Sequence, residues 1–170
     1  CYKRMPMPAL LKTQPAYSIR PAARADVPVI LELIRELADY EKLAHEVVAD
    51  QATLEKTLFG ERVYAEVLLA EADGEVAGFC LFFHNVSTFL GRPGIYIEDI
   101  FVRPAFRGAG LGKQFFRELA AIAKQRGCGR IEWWVLDWNE TAITFYKKLG
   151  AKPMDEWTVF RLTEDKFGEL

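Results

Sequence analysis

The stretch from Ile95 to Arg126 constrains the fold more than any other. Ile95 to Val102 is a mostly apolar run of strand length that Pro104 ends. From Gly110 to Arg126 the apolar residues Leu111, Phe115, Leu119, Ile122 and Ala123 fall on one face of a helix, closed by Gly127 and Gly129. Between them lies Arg107-Gly108-Ala109-Gly110-Leu111-Gly112-Lys113. A buried strand thus hands over to an amphipathic helix through a glycine-rich turn. Backbone N–H groups and a helix N-terminus converge in such a turn, and together they suit a phosphate or pyrophosphate.

The flanking sequence predicts the rest of the sheet. Tyr17 to Arg20 reads as a short strand closed by Pro21, and Ala25 to Glu41 as a helix with one apolar stripe. Asp50 is a candidate N-cap for a helix over Gln51 to Leu58, ended by Gly60. Tyr64 to Glu71 and Glu75 to His84 flank Asp73-Gly74, a hairpin signal. Ser87 to Gly94 reads as a loop, Arg130 to Asp137 as a strand, Glu140 to Leu149 as a helix, and Thr158 to Leu162 as a last strand. Strands that adjoin in a hairpin and also alternate with helices predict a mixed sheet, not the parallel sheet of a dinucleotide-binding domain. Residues 17–170 are expected to form one domain, with 1–16 an extension outside it.

Composition removes several functions. With 22 Lys+Arg against 24 Asp+Glu the net charge is −2, which gives no electrostatic footprint for nucleic acid or an anionic membrane. Charges interrupt every apolar stretch, so a membrane-spanning helix is not expected. Cys1, Cys80 and Cys128 are odd in number and widely spaced, with only His45 and His84 beside them. Neither a disulfide framework nor a metal site follows, and a soluble protein of a reducing, cytoplasmic compartment is the expectation.

Three anion-binding patterns compete for the glycine turn. The Walker pattern needs a glycine where Arg107 stands and Ser or Thr where Gln114 stands. The dinucleotide pattern needs its third glycine at Lys113 or Phe115. What remains is Arg-x-x-Gly-x-Gly, carried by Arg107, Gly110 and Gly112. This resembles the coenzyme loop of the GNAT family of acyl-CoA-dependent N-acetyltransferases. Asn139-Glu140-Thr141-Ala142-Ile143-Thr144-Phe145-Tyr146, ending in Gly150-Ala151, is similar to that family's second coenzyme segment. Ile19-Arg20-Pro21-Ala22, Leu37-Ala38-Asp39-Tyr40-Glu41 and Tyr96-Ile97-Glu98-Asp99-Ile100-Phe101-Val102 resemble its diamine (spermidine/spermine) acetyltransferase branch.

The resemblance implies an α/β (α+β) fold of GNAT type, a mixed, mostly antiparallel sheet of six to seven strands flanked by about four helices. It implies acetyl-CoA as cosubstrate, no metal, a small cationic amine such as a polyamine, thialysine or lysine-like amine as acceptor, and a homodimer. Ile100, Phe101 and Val102 would run along the coenzyme, with Arg107, Gly108, Ala109, Gly110, Leu111, Gly112 and Lys113 around its pyrophosphate. Asn139, Ala142 and Tyr146 would complete that site. Tyr40, Glu41, Glu98, Glu132, Trp133 and Trp157 would line the amine side.

The chemistry asks for two proton-handling groups. An alkylamine with a pKa near 10.4 arrives protonated and must lose a proton before it attacks, and a departing thiolate with a pKa near 8.5 benefits from a donor. By resemblance Glu98 manages the first proton and Tyr146 supplies the second. Glu98 and Asp99 are adjacent on a strand, so their side chains are expected on opposite faces, with Asp99 structural or supporting the site from behind. Two stretches depart from the branch: Ala151 to Trp157 is shorter, and Glu132-Trp133-Trp134 replaces a His-Phe-Leu-like run. Both concern the amine side. The competing readings are a CoA-binding domain without turnover and an acetyltransferase of protein N-termini or lysine side chains.

Overall fold

The structure, a computed structural model, describes residues 17–169; the expected extension over 1–16 lies outside the described residues. The chain divides into two compact units between Trp134 and Val135.

The first unit is built on a sheet of five strands. Its elements are β1 (Tyr17–Pro21), α1 (Val27–Tyr40), α2 (Gln51–Phe59), β2 (Glu66–Ala72), β3 (Glu75–Ser87), β4 (Arg92–Val102), α3 (Leu111–Gln125) and β5 (Ile131–Trp133). The strands lie in the order β1-β2-β3-β4-β5, antiparallel except for the parallel pair β4 and β5. Asp73 and Gly74 both take positive φ, 53° and 81°, as the tight hairpin turn between β2 and β3 requires. Asp50 caps α2 by accepting from the Thr53 N–H at 2.8 Å.

The apolar stripes of the helices determine two cores, one on each face of the sheet. Ile30 and Leu33 of α1 and Leu54 and Leu58 of α2 pack on Leu69, Phe79, Leu81 and Phe101. Leu111, Phe115, Leu119 and Ala123, spaced four apart along α3, pack on Cys80, Phe82, Ile95 and Ile97. Each buried Leu or Phe contributes about 1.5–3 kcal/mol, so these stripes outweigh the helices' own propensities. No helix among the described residues is long and apolar enough to cross a membrane.

Three expectations are corrected. The loop over Ser87 to Gly94 shrinks to a turn, because β3 and β4 pair as far as Ser87 and Arg92. Only Gly91 of its breakers takes positive φ, 60°, while the Pro93 carbonyl accepts from the Gly129 N–H at 2.8 Å. The strand over Arg130 to Asp137 is reduced to Ile131–Trp133. Thr158 to Leu162 forms no strand: it pairs with no other strand among the described residues, and Phe160 is 92% exposed. The loss of that last strand leaves five where six to seven were expected.

Gly78 sits opposite Val102, and a Cβ there would lie 2.3 Å from the Phe101 carbonyl oxygen and 3.1 Å from the Val102 Cα. Both obstacles are backbone and cannot swing aside. Gly78→Ala is expected to destabilise the chain by about 1–3 kcal/mol, read from the urea midpoint. An unchanged midpoint would refute this tight β3–β4 approach.

The second unit holds α4 (Glu140–Lys148) and a short 3-10 turn over Glu164–Glu169. Asn139 caps α4, its Oδ1 accepting from the Ala142 N–H at 3.2 Å.

Candidate active site

β4 carries the chemistry because its alternation is broken. Ile95, Ile97, Ile100 and Val102 pack on the α3 side, whereas Phe101 belongs to the α1 and α2 core. In an uninterrupted strand Ile97 and Phe101 would share a face. They do not, because Leu81 pairs with Asp99 and the next residue of β3, Phe82, pairs with Ile97. Glu98 is the extra residue of a β-bulge. Two residues rather than one therefore lie between Ile97 and Ile100, and Glu98 and Asp99 turn away from the α3 side together. The sequence expectation of opposite faces is corrected here.

A third carboxylate approaches from α1. That helix ends in a Schellman turn, with the Leu43 N–H on the Ala38 carbonyl at 2.8 Å, the Lys42 N–H on that of Asp39 at 3.1 Å, and Lys42 at φ 61°. The turn holds Glu41 close enough to act on Asp99. Burial, then the negative charges of Glu98 and Glu41, push the Asp99 carboxyl up to about 7. Burial also raises Glu41 above the ordinary carboxylate range. Tyr96 lies near the group, and burial followed by the charges of Glu98 and Glu132 raises its phenol to about 12. Tyr96 packs between Phe83, with centroids 5.1 Å apart, and Trp134, edge-on at 5.7 Å.

The segment after β4 is clamped to α1. Arg103 donates from Nε to both carboxylate oxygens of Glu36 at 3.1 and 3.0 Å, from Nη1 to the Val76 carbonyl at 2.8 Å, and from Nη2 to Glu32. The glycine loop starts four residues later. Gly108 and Gly110 take φ of 83° and 88°, a conformation costly for any other residue, and a Cβ at Gly108 would meet nothing within 4 Å. Gly110 is the N-cap of the 15-residue α3 and offers no side chain to its first amides. The N–H groups of Gly110, Leu111, Gly112 and Lys113 have no acceptor within the helix. An open, glycine-walled helix N-terminus of this kind fits a pyrophosphate. Leu111 can contribute only its amide, since its side chain is 2% exposed in the α3 core.

The structure gives several of the expected site residues partners of their own. Arg107, expected on the pyrophosphate, turns its guanidinium over the Tyr40 ring at 4.8 Å and the Phe101 ring at 5.6 Å, with Nε donating to the Val102 carbonyl at 2.9 Å. The Tyr40 face expected to take an alkylammonium is thus shared with an arginine. Phe101 is 5% exposed and buried in the α1 and α2 core, so its backbone alone is available to a ligand. Glu132 is engaged by Arg130 Nε and Asn85 Nδ2, each at 2.8 Å. Trp133 packs edge-on to Phe116 at 5.0 Å on the α3 side, whereas Trp134 packs on Tyr96. In the second unit Tyr146 is half-buried beside Phe145, with ring centroids 5.6 Å apart, and Trp157 is 72% exposed. Asp99 and Tyr96 are the members of the site that the sequence reading did not assign a direct role in it.

Comparison with known proteins fits this geometry. The sequence model of the Acetyltransferase (GNAT) family matches residues 31–151. A thialysine N-epsilon-acetyltransferase of Bos taurus is 40% identical over 163 residues, covering 89% of this chain and 95% of the relative. The L-ornithine N5-acetyltransferase NATA1 of Arabidopsis thaliana is 35% identical, covering 86% and 84%. Among solved structures, an integron cassette protein from the mobile metagenome of V. cholerae superposes with a TM-score of 0.76 at 25% identity, over 90% of this chain and 96% of that one. The chain therefore belongs to the GNAT acetyltransferase family, and it is an N-acetyltransferase.

Proposed function

We propose that the chain transfers the acetyl group of acetyl-CoA directly to the terminal amine of a small cationic substrate, a lysine-, thialysine- or ornithine-like amino acid in preference to a polyamine. The observation that carries this reading is the bulge at Glu98, which turns Glu98 and Asp99 to one face, where Asp99 feels the charges of both Glu98 and Glu41. Three carboxyl groups attract an ammonium ion, and Glu98 and Asp99 are two acceptors for the proton it must lose before its lone pair can attack. The glycine loop, clamped by Arg103, holds the pyrophosphate through backbone N–H groups and the α3 N-terminus.

When the amine nitrogen bonds to the acetyl carbon, the carbon–sulfur bond breaks and the sulfur leaves as a thiolate. By family resemblance Tyr146 gives that thiolate a proton from its phenol O–H. The names of the curated relatives support the amino-acid preference: the bovine relative is a thialysine acetyltransferase and the plant relative an ornithine acetyltransferase. A homodimer, as in the resembling branch, is part of the same proposal.

The test is a thiol-release screen with acetyl-CoA across thialysine, lysine, ornithine, putrescine and spermidine. The expected result is the highest kcat/KM with the amino acids. A preference for spermidine would return the substrate class to polyamines, and release only with a peptide amine would reject small-molecule acetylation altogether.

A further inference from the structure

Gly94 leaves a gap in the surface of β4: a Cβ there would lie 2.3 Å from Asn85 Oδ1 and 3.3 Å from Arg130 Cγ. Through that gap Asn85 of β3 reaches across β4 and donates from Nδ2 to Glu132 Oε2 of β5 at 2.8 Å. Arg130 pairs with the same oxygen from Nε at 2.8 Å and rests Nη1 on Ser87 Oγ at 3.3 Å. Both partners of Glu132 therefore use one oxygen. Glu132 Oε1 accepts no hydrogen bond and Arg130 Nη2 donates none among the described residues, so the pair is held in place with one hydrogen-bonding atom of each residue left over. Asn85 holds Glu132 at a cost to itself, since its Oδ1 is buried with no hydrogen-bond partner among the described residues.

These groups share the face that carries Glu98. Ile95, Ile97, Ile131 and Trp133 pack on the α3 side, so Tyr96 and its register partner Glu132 point the other way, and Arg130 with them. Tyr96, whose phenol feels the negative charges of both Glu98 and Glu132, lies between the two carboxylates. Glu98, Tyr96 and Gly94 are successive two-residue steps of about 6.6 Å along β4, and β5 runs about 4.8 Å to the side, which sets Glu98 and Glu132 about 8 Å apart at the backbone. Arg130 stands one step further along, beside Gly94. The face thus reads carboxylates, aromatic ring, carboxylate, guanidinium. A basic amino acid reads the complement: terminal ammonium, methylene chain, α-ammonium, α-carboxylate. Its two nitrogens are five bonds apart in ornithine and six in lysine or thialysine, about 6–8 Å.

We propose that Arg130 and Glu132, positioned by Asn85 across Gly94, take the α-carboxylate and the α-ammonium of the substrate and so set the preference for amino acids over simple diamines. This rests on the function proposed above, which fixes the terminal ammonium at Glu98 and Asp99. The adjacent guanidinium and carboxylate present opposite charges side by side, as the head of an amino acid does, and each end of that head finds a charge-assisted hydrogen bond. A diamine brings only the second ammonium and leaves Arg130 without a ligand.

Cadaverine and putrescine are lysine and ornithine without the α-carboxylate, and ε-aminocaproate and δ-aminovalerate are the same two without the α-amine, so each comparison isolates one contact. The substrates are assayed by thiol release on one preparation of each variant at saturating acetyl-CoA, which makes ratios of kcat/KM independent of the fraction of folded enzyme. For Arg130→Gln the lysine-to-cadaverine and ornithine-to-putrescine ratios are expected to fall at least tenfold, with Arg130→Lys, which keeps the charge without the planar fork, between it and the wild type. For Glu132→Gln the lysine-to-ε-aminocaproate and ornithine-to-δ-aminovalerate ratios are expected to fall at least tenfold, and Asn85→Ala, which releases Glu132, should lower the same ratios threefold or more. Ratios that stay within twofold of the wild type in either Arg130→Gln or Glu132→Gln would overturn the proposal and make the pair a structural bridge, with the proposed function intact. Wild-type protein that acetylates neither lysine nor ornithine would overturn the proposed function itself, and this inference with it.

Discussion

Replacing Tyr146 by Phe is expected to lower kcat roughly a hundredfold, about 2.7 kcal/mol of transition-state stabilisation, while the KM for acetyl-CoA moves less than twofold. The substitution removes one hydroxyl and leaves the ring, so the half-buried contact with Phe145 survives. The backbone of α4 is secured independently of that hydroxyl, by the Asn139 cap at 3.2 Å at one end and the Ala151 N–H on the Tyr146 carbonyl at 3.1 Å at the other. Circular dichroism of the variant should therefore match the wild type. A phenol that merely packs would leave kcat within twofold, and that result would remove Tyr146 from the reaction. A parallel rise in the KM for acetyl-CoA would assign the hydroxyl to coenzyme binding instead.

The glycine loop and the helices were legible because their signals are local. Asp73-Gly74 demanded a tight turn, Asp50 a cap, and the four-residue spacing of Leu111, Phe115 and Leu119 a one-sided helix, and each needs only neighbours in sequence. The bulge left a trace that strict alternation conceals. Ile95, Ile97, Ile100 and Val102 are spaced two, three and two apart, and the step of three is the extra residue. Reading that step as a bulge turns Glu98 and Asp99 to one side, with no structure needed. By contrast, nothing local reports that Trp133 meets Phe116, that Glu132 is engaged by Arg130 and Asn85, or that Arg107 folds back on Tyr40. Those choices depend on which partner a long side chain finds across the sheet. The strand expected at Thr158 to Leu162 failed for a related reason, since β propensity is realised only where a sheet edge accepts it.

Asp99→Asn is expected to raise stability at pH 8 and to leave it nearly unchanged at pH 4. The ordinary aspartate value is 3.8, and burial together with Glu98 and Glu41 lifts it to about 7 in the folded chain. Between these values the folded chain keeps a proton that the unfolded chain has released, so stability falls as pH rises through this window. Below it both states are protonated and the carboxyl costs nothing; above it both are ionised and the cost is complete. At 1.36 kcal/mol per unit the full cost is on the order of 4 kcal/mol, which corresponds to a gain of about 8–16 °C in Tm for the asparagine variant at pH 8. The same linkage reaches the substrate. A bound ammonium favours the ionised form of Asp99, so the wild-type KM for the amine should fall between pH 6 and pH 8, and the asparagine variant should lose that inflection. Glu98 and Glu41 remain to attract the cation in the variant, while Tyr96, held at about 12, does not titrate in this range. A stability difference that stayed constant from pH 4 to pH 8 would mean that Asp99 is ionised throughout, and that the three carboxyl groups do not press on one another as the bulge implies.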